Sequence, residues 1–491
     1  MASTGLIAIR RWLTPSLVDV FFLALFLALF AQPHGLEALL SDGDTGWHIR
    51  TGELILATGH VPTADPFSFS RPGQPWLAWE WLSDVIFAWL ARLGGVAVVA
   101  ASAGAVLALA AAALFARLLR RGAGLWIALA ASLAAASASS IHYLARPHVF
   151  SILLYTLALG LIEADLEQPR WRVWLLVPVA GVWANLHGGF VLLPATLALA
   201  AAICPGRRLR FLALALAATA ATLVNPYGWR LHEHIWSYLR SPWILDHVQE
   251  FQSPSIRSEG AVVFALLLLM AVAVAPRARR FPAALVVVWG FASLRSARHI
   301  PFFAIAAAPV VAQSAAAVWR RYSERQEPNA PIRIFWDLAQ DFGRQWRASV
   351  WLPLAAIVAV VLAAQYPAEF PESRFPSRAL ERNSALLTDS AATRVLTSDQ
   401  WADYLIYRLY PHDRVFFDGR SDFYGPAIGG DYRKLLAAQD GWREVLDRYA
   451  FSVALLPHDW PLSTMLDREP GWRLVYRDSV AVLFAHEGSA P

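Results

Sequence analysis

Long apolar runs constrain the fold of this chain more than any other feature of its sequence. A membrane-spanning helix needs about 20 predominantly apolar residues, with about 17 to 25 tolerated. By that measure about eleven segments qualify, and they centre near residues 17–40, 81–116, 123–141, 148–163, 173–186, 189–203, 211–225, 260–275, 282–294, 300–318 and 348–365. Only 16% of the 491 residues are charged, against about 25% in soluble domains. The sequence therefore predicts a mainly α-helical, polytopic membrane bundle.

The placement of arginines predicts how this bundle is oriented. Clusters recur at alternate junctions between the apolar runs, at Arg10 and Arg11, Arg117–Arg121, Arg170 and Arg172, Arg207–Arg210, Arg277–Arg280, and Arg320 and Arg321. Cytoplasmic loops of membrane proteins carry such an excess of positive charge. We expect the N-terminus in the cytoplasm, and both the first loop and the C-terminal tail outside. The formal net charge of +5 then follows from topology and indicates membrane-lipid partners and no nucleic acid.

Composition divides the chain into two domains. Residues 1–366 form the predicted transmembrane domain, which includes a first outer loop at 41–84 and a cytoplasmic connector at 319–347. In the connector, Phe335, Leu338, Phe342 and Trp346 recur at helical spacing, which favours a helix on the inner surface over a plain linker. Residues 367–491 are long enough to fold as a separate, extracytoplasmic α/β domain.

Sequence patterns in the tail predict its elements. We expect strands at Val395–Thr397, Arg414–Phe417 and Phe451–Leu456, a helix at Asp399–Leu409, and a hairpin formed by Trp472–Arg477 and Ser479–Phe484. The motif DGRSD, residues 418–422, is interpreted as a charged turn in preference to a site.

The first outer loop carries the most unusual polarity. Asp42 and Asp44 follow directly after the first apolar run, which we interpret as an uncleaved helix and not as a signal peptide. The stretch His48 to Leu56 predicts a short amphipathic helix with Gly59 as its C-cap. Two acids immediately before such a helix favour a functional role over simple solvation of a helix end.

Three arginines lie on the side of the membrane where the positive-inside rule would not place them. These are Arg146, Arg295 and Arg298. Ionisable residues at membrane depth are costly and usually mark a functional cavity, although a single arginine near a helix end also reaches the interface by extending its side chain. A guanidinium matches the oxygens of a phosphate group. A lipid-linked phosphate at the outer leaflet is therefore the anion that we expect.

Other polar residues gather at the same outer junctions, namely His142, His148, Asn185, His187, Tyr227, His232, His234, Glu250 and His299. His232 and His234 are two residues apart, which places them on different faces of a helix. No recognised metal-binding spacing is present among these histidines. Asn185 and His187, in the motif NLHGGF, fit helix packing as well as substrate contact.

The first outer loop also resembles a known group of proteins. The stretch DGDTGWHIRTGELILATGHVPTADPFSFS, followed by WEWLSD, is similar to bacterial membrane proteins of the GT-C type. With its many spans and outer C-terminal domain, the chain resembles the GT-C superfamily of membrane glycosyltransferases, which use polyprenyl-phosphate or polyprenyl-pyrophosphate sugars. The resemblance implies a multi-pass protein of the bacterial inner (plasma) membrane with a periplasmic tail. The tail lacks the WWD-type motif of the peptide-glycosylating branch.

The resemblance implies roles for individual residues. In the superfamily an acid of the first outer loop is the general base or a metal-associated residue, a role that falls on Asp44 or else Asp42. The donor phosphate would be bound by Arg146, Arg298, Arg295 and His299. Contacts to the acceptor, or support for the site, would come from His48, Glu80, His148, Asn185, His187, Tyr227, His232 and Glu250. The implied reaction is inverting transfer to a hydroxyl of a glycan, lipid or protein acceptor.

No cofactor is established by the sequence. A divalent cation, Mg or Mn, held by Asp42 and Asp44 is compatible with the resemblance. Two other classes of function stay open. A transporter or lipid flippase would also need charge inside the membrane, but along a path reachable from both sides. A non-catalytic envelope scaffold would scatter its outer charge over the surface, without one convergent pocket.

Overall fold

The computed structural model describes residues 13–32, 34–344, 347, 349–365, 368–388 and 393–487. Seventeen described helices have eight or more residues: α1 (Leu17–Ala31), α2 (Asp44–Thr58), α3 (Trp81–Arg120), α4 (Leu125–Ser139), α5 (His148–Glu167), α6 (Leu176–Leu186), α7 (Leu192–Ile203), α8 (Arg208–Ala221), α9 (Trp229–Arg240), α10 (Glu259–Val274), α11 (Arg280–Arg295), α12 (Ile300–Ser323), α13 (Pro331–Gly343), α14 (Trp351–Ala363), α15 (Asp399–Leu409), α16 (Ser421–Leu436) and α17 (Trp442–Tyr449). Shorter α-helices lie at Gly35–Leu39, Pro242–His247, Ser377–Arg382, Ser384–Thr388 and Pro461–Leu466. Single 3-10 turns lie at Ser140–His142, Trp171–Leu175, Gly188–Val191, Pro205–Arg207, Gln249–Phe251, Ala275–Arg277 and Ala297–His299.

Each of the predicted apolar segments overlaps one of these helices, and the chain is a multi-pass membrane protein. Five described helices are long and apolar enough to cross a membrane, or six if the bent pair Gly188–Ile203 and Pro205–Ala221 forms one span. The number of eleven spans therefore stays a prediction. One predicted boundary is wrong, because the first apolar helix ends at Ala31 and Gly35–Leu39 is a separate short helix.

The second apolar segment is bent, as its length suggested. Helix α3 is interrupted at Gly94 and Gly95, and Gly95 has a φ of 67°, a left-handed conformation that glycine adopts without strain. A side chain at Gly94 would lie 2.8 Å from Cβ of Ala364, at the end of α14. The bend therefore also permits close approach of the last apolar helix.

Helix α2 lies between the membrane bundle and the tail. It extends the predicted stretch His48 to Leu56 at both ends and ends at Gly59, which has the predicted left-handed conformation with a φ of 72°. On one face, a side chain at Gly46 would come within 2.6 Å of the carbonyl oxygen of Asp403 in α15. On another face of α2, a side chain at Gly52 would overlap the backbone of Asp84 in α3. Glycines thus let α2 contact both partners backbone to backbone.

The tail contains a mixed four-stranded sheet with the order β1-β2-β4-β3. Its strands are β1 (Val395–Leu396), β2 (Val453–Pro457), β3 (Trp472–Arg477) and β4 (Ala481–His486). Strands β1 and β2 are parallel, with Val395 opposite Val453, whereas β4 pairs antiparallel with both β2 and β3. The predicted hairpin and the helix at Asp399–Leu409 are confirmed. The predicted boundary between residues 366 and 367 lies outside the described residues.

Two sequence interpretations of the tail are corrected by its contact with the first outer loop. Arg414–Phe417 is no strand of the sheet, since only Val415 forms bridges, to Ser68 of the loop and to Val395. The motif DGRSD is more than a charged turn, because Asp418 and Arg420 are buried. The Nη2 of Arg420 lies 2.6 Å from Asp418 and 2.8 Å from Asp65 of the outer loop. A buried ion cluster therefore fastens the tail to the loop.

This cluster makes a testable contribution to stability. Replacing Arg420 by glutamine leaves the carboxylates of Asp65 and Asp418 buried without their cation, a change that costs about 3 to 5 kcal/mol. We expect a lower unfolding temperature and faster proteolytic release of the tail. Arg443→Gln is the matched control, since its ion pair with Glu469 is exposed and exposed pairs contribute about 0 to 1 kcal/mol. Equal effects of the two substitutions would contradict the assignment.

The predicted connector helix is present as α13. Phe335, Leu338 and Phe342 are 53%, 45% and 44% exposed on its outer face, while Ala339 and Gly343 are buried. Trp346, the last residue of the predicted pattern, lies outside the described residues. An exposed apolar face suits a helix that lies on a membrane surface. The location of α13 on the inner membrane surface remains a prediction.

Candidate functional site

A polar cavity of about 160 Å³ lies where α5, α7 and α12 begin. Its charged and imidazole side chains are His48, Glu80, His142, Arg146, His148, His187, Glu250, Arg298 and His299. Its apolar wall includes Trp79, Ile152, Val191, Leu192, Ile235, Leu239 and Phe302. The loops between apolar helices thus bring together nine ionisable residues that are far apart in the sequence.

Arg146 connects this cavity to the two acids of the first outer loop. Its Nη1 lies 3.0 Å from Oδ2 of Asp42, and its Nη2 lies 2.7 Å from Oδ2 of Asp44. Asp42 and Asp44 adjoin the cavity behind this guanidinium, and neither is part of its lining. Asp42 in turn accepts a hydrogen bond of 2.9 Å from the backbone N–H of Asp44, the first residue of α2.

Glu250 lies between the two arginines of the cavity. Its carboxylate oxygens are 3.9 Å from Nη1 of Arg146 and 3.8 Å from Nη1 of Arg298. Burial alone would raise the pKa of Glu250, but Arg298 and Arg146 outweigh it and lower that pKa, so Glu250 is ionised. Both distances exceed a normal hydrogen bond. Glu250 therefore does not satisfy the nearby Nη1 donor of Arg298.

Arg298 has donor capacity for another anion. Its Nη1 is buried and has no hydrogen-bond partner among the described residues. Its guanidinium carbon stacks 4.3 Å from the ring centre of Phe251, which fixes the plane of the guanidinium. An unsatisfied buried donor is costly, and an anion in the cavity would satisfy it.

Asp44 has an environment that raises its pKa to about 7, because burial disfavours the carboxylate more than Arg146 stabilises it. Its Oδ2 faces Arg146, whereas its buried Oδ1 receives no hydrogen bond from an N–H group or a hydroxyl group of the described structure. Gly419 of the tail lies against that Oδ1 and has no room for a side chain there. A carboxyl group with a pKa near neutrality can accept a proton and release it again.

The sequence interpretation missed Asp403, the partner of Asp44 in the tail. Asp403 lies on α15, is fully buried, and accepts hydrogen bonds of 3.0 and 3.2 Å from the backbone N–H of Gly419. Burial and the nearby Asp44 raise the pKa of Asp403 well above its usual value. We infer that Asp403 is protonated and donates to Asp44. The amphipathic pattern of α15 identifies its buried face, but only the fold brings Asp403 to Asp44.

Glu80 forms a second buried acid centre, in the lining of the cavity. Its carboxylate oxygens lie 3.7 Å from Nε2 of His48 and 3.6 Å from Nε2 of His187. Burial raises the pKa of Glu80 to about 8, despite the lowering effect of Arg146. Burial also lowers the pKa of His48 well below its usual value. Burial lowers the pKa of His187 as well, so the neutral forms of Glu80 and the two imidazoles are favoured near pH 7.

A chain of hydrogen bonds fixes the tautomer of His187. Trp183 donates from Nε1 to Oγ of Ser151 at 2.7 Å, so the Ser151 hydroxyl donates to Nδ1 of His187, also at 2.7 Å. The backbone N–H of Gly189 donates to the same Nδ1 at 2.9 Å. With Nδ1 as acceptor, the proton of neutral His187 is on Nε2, which faces Glu80.

Two other histidines of the cavity, His148 and His299, lie against backbone carbonyls. His148 donates from Nε2 to the carbonyl oxygen of His142 at 2.6 Å. The Nδ1 of His299 lies 3.3 Å from the carbonyl oxygen of Ala292. The Nε2 of His142 is buried without a hydrogen-bond partner among the described residues. These rings line the cavity as fixed polar groups.

Besides Asp42 and Asp44, four of the predicted site residues lie outside the lining of this cavity. Arg295 is exposed, in keeping with the alternative that it reaches the interface. Asn185 is fully used between helices, accepting from Trp81 at 2.8 Å and donating to the carbonyls of Gly181 and Val224. His232 lies 2.9 Å from the hydroxyl of Thr222, and Tyr227 donates weakly, at 3.5 Å, to the carbonyl of Pro62.

The residues present do not fit a resident divalent cation. Within the described part of the chain, no group of three or more His, Cys, Asp or Glu side chains is arranged to hold a metal ion. Asp42 and Asp44, which the sequence offered as ligands, are both occupied by the guanidinium of Arg146. A cation would have to displace that arginine, so no step is assigned to a metal.

Two solved structures show what the fold resembles. Archaeal oligosaccharyltransferase AglB from Archaeoglobus fulgidus, in complex with an inhibitory peptide and a dolichol-phosphate, is similar with a TM-score of 0.57 and 12% identity, over 96% of this chain and 74% of its own. ArnT from Cupriavidus metallidurans in the apo state gives a TM-score of 0.48 and 14% identity, over 99% and 98%. No protein-family profile and no curated protein matches the sequence. The similarity to AglB confirms the GT-C resemblance at the level of the fold.

Proposed function

We propose, from the GT-C fold of the chain, that it is a glycosyltransferase that moves a sugar from a polyprenyl-phosphate or polyprenyl-pyrophosphate donor to an acceptor hydroxyl. The reaction takes place at the outer face of a bacterial inner membrane, with the N-terminus cytoplasmic and the C-terminal domain, residues 367–491, periplasmic. The acceptor is a glycan, lipid or protein. AglB, which shares the fold, was solved with a dolichol-phosphate, and that ligand belongs to the same chemical class as the proposed donor.

One observation carries the proposal. Two arginines of the cavity, Arg146 and Arg298, converge on Glu250 at distances longer than a hydrogen bond, and Arg298 retains a buried Nη1 without a partner among the described residues. A phosphate oxygen placed between the two guanidinium groups would satisfy that donor. The apolar wall of the cavity suits the first isoprene units of the carrier lipid.

Asp44 is proposed as the general base. In the transfer step the acceptor oxygen bonds to the anomeric carbon as the bond from that carbon to the phosphate oxygen breaks, so the configuration inverts. The electron pair of the breaking bond goes to the departing phosphate, whose charge Arg146 and Arg298 stabilise. The proton of the acceptor hydroxyl goes to Asp44, whose pKa of about 7 suits that transfer. Arg146, paired with Asp44 at 2.7 Å, would link the two events.

The proposal is tested without knowing the sugar or the acceptor, because every such reaction releases the lipid phosphate. Purified protein in vesicles is given short-chain polyprenyl-phosphate sugars and a membrane extract as acceptor, and released polyprenyl phosphate is measured by mass spectrometry. We expect Arg298→Gln to reduce release by about 100-fold, as for loss of one charge-stabilising group. Arg295→Gln, an exposed position on the same outer side, should stay within about threefold.

Two results would contradict the proposal. One is release of polyprenyl phosphate that Arg298→Gln and Arg295→Gln affect equally, because the cavity would then not be the site. The other is movement of intact donor across the vesicle membrane without cleavage. That result would favour the transporter class, which shares the need for buried charge.

The pair of Asp44 and Asp403 predicts the pH profile. Because Asp44 acts as a base, kcat/KM should fall below about pH 7, where Asp44 becomes protonated. The hydrogen bond from protonated Asp403 favours ionised Asp44 and lowers its pKa. Asp403→Leu removes that bond, so the pKa of Asp44 rises and the acid limb moves to higher pH. Asp403→Asn keeps a donor and should leave the limb in place. Identical profiles for the two variants would show that Asp403 does not act through Asp44.

A further inference from the structure

A second, larger cavity of about 1010 Å³ lies at the opposite end of the helix bundle. Helix α5 begins at His148 in the outer cavity and reaches the second cavity with Glu163 and Glu167. Twenty residues of α-helix are about 30 Å long, which is the thickness of the hydrocarbon core. Helices α7 and α12 run between the same two cavities. The second cavity therefore belongs to the other membrane surface and is separate from the proposed transfer site.

The lining of this cavity is strongly basic. Seven arginines face two glutamates: Arg120, Arg121, Arg207, Arg277, Arg279, Arg280 and Arg321 against Glu163 and Glu167. Glu163 is already neutralised from behind by Arg117, whose Nε lies 2.6 Å from it. Of the seven, only Arg121 forms ion pairs with described acids, at 2.9 Å to Glu163 and 3.8 Å to Glu167.

Membrane topology explains why arginines occur at this end, but not how they are arranged. The positive-inside rule requires only that positive charge follow the spans on the cytoplasmic side. Here the arginines come from four separate junctions of the chain, and their side chains line one space between helices. The Nε of Arg121 is buried with no hydrogen-bond partner among the described residues. Like charges that converge on a cavity are stabilised when an anion occupies it.

The rest of the lining indicates the kind of anion. Between the arginines, the wall is formed by aliphatic and aromatic side chains, including Leu166, Val274, Phe281 and Val318. Val318 is 64% exposed and Val274 is half-buried, so the apolar wall continues to the outer surface of the bundle. A soluble phosphate would gain nothing from that wall. A phospholipid would place its phosphate among the arginines and its acyl chains along the apolar side.

We propose that this cavity binds the headgroup of an anionic phospholipid. Basic pockets between membrane helices at the cytoplasmic surface bind lipids of this kind, and guanidinium groups match the oxygens of a phosphodiester. The site is independent of the proposed glycosyl transfer, because it shares no lining residue with the outer cavity. Bound lipid neutralises the converging charges and holds together the ends of α7, α10 and α11.

The test compares two triple variants with the same change of charge. The protein is reconstituted in vesicles of phosphatidylcholine with a minor fraction of phosphatidylglycerol, extracted in mild detergent, and analysed for retained lipid by native mass spectrometry. In the cavity variant, Arg207, Arg279 and Arg280 become glutamine. In the control, Arg320, Arg325 and Arg333 become glutamine, at the same end of the bundle but outside the cavity lining.

We expect the cavity variant to lose phosphatidylglycerol retention by on the order of 100-fold, from about 1 kcal/mol for each arginine near an anionic lipid, while the control retains it. If the triple variant does not fold, the single variant Arg279→Gln is compared with Arg320→Gln. The expected loss of retention in Arg279→Gln is then about fivefold. Equal loss in the cavity variant and the control would overturn the proposal in favour of diffuse surface attraction. Displacement of the lipid by millimolar inorganic phosphate would overturn it in favour of a soluble anion.

Discussion

Asp44→Asn is expected to reduce the release of polyprenyl phosphate by at least about 100-fold, the lower range for loss of a general base. Asparagine keeps the size of Asp44 but takes up no proton at the pH where the carboxylate, with its pKa of about 7, would accept one. The fold should persist in this variant. Arg146 keeps its ion pair with Asp42, and residue 44 is only the first residue of α2. The measurement is the mass-spectrometric release assay, together with the unfolding temperature of the same preparation.

Two comparison variants make this prediction specific. Asp42→Asn removes a neighbouring charge but not the proposed base, so a smaller loss, of about tenfold or less, is expected. Glu80→Gln removes the other buried acid, which lines the cavity between His48 and His187. If Glu80→Gln abolishes release and Asp44→Asn does not, the base is Glu80 and the proposed role of Asp44 is wrong.

Gly419→Ala is expected to have a comparable effect from the tail side of the site. A methyl group at Gly419 would overlap Oδ1 of Asp44 and lie 2.7 Å from Oδ2 of Asp403. The two carboxyl groups would have to separate, and the hydrogen bond that favours ionised Asp44 would be lost. We expect release to fall by about 100-fold, since small displacements of a catalytic group cost that much, although no ionisable group is removed.

The matched control is Gly430→Ala, in α16 of the same tail. An added methyl group there meets no atom within 4 Å, and alanine favours a helix over glycine. Gly430→Ala should therefore keep full activity with unchanged or slightly higher stability. If Gly419→Ala were as active as Gly430→Ala, the close contact of the tail with Asp44 would have no part in the reaction.

Much of the fold follows from local sequence patterns. Apolar length located the apolar helices of the bundle, and helical periodicity located α13 and α15. The hairpin of β3 and β4 followed from the pattern of its two strands. The failure at Arg414–Phe417 has a physical reason. Val415 forms one bridge to Ser68 of the outer loop and one to Val395 of the tail, and no local pattern encodes either long-range pairing.

The candidate site could be predicted only where topology made single residues unusual. Arg146 and Arg298 were identified because they lie on the side where arginine is not expected, and Asp44 because two acids stand together immediately before a predicted amphipathic helix. No sequence feature distinguished Asp403 or Gly419, since an aspartate on a helix and a glycine in a loop are both common. Their importance comes from the packing of α15 against Gly46 of α2 and against Gly43, which directly precedes α2. Which of the polar residues face the cavity, and which, like Asn185, connect helices, depends equally on packing.

The most direct test of the account is a structure of the protein with a short-chain polyprenyl phosphate. The account predicts phosphate oxygens within hydrogen-bond distance of Nη1 of Arg298, with Arg146 beside them and the lipid tail along the apolar wall of the outer cavity. Binding measured in parallel should weaken in Arg298→Gln and not in Arg295→Gln. A phosphate found only among the arginines at the other end of the bundle, with the outer cavity unchanged, would contradict the proposed transfer site.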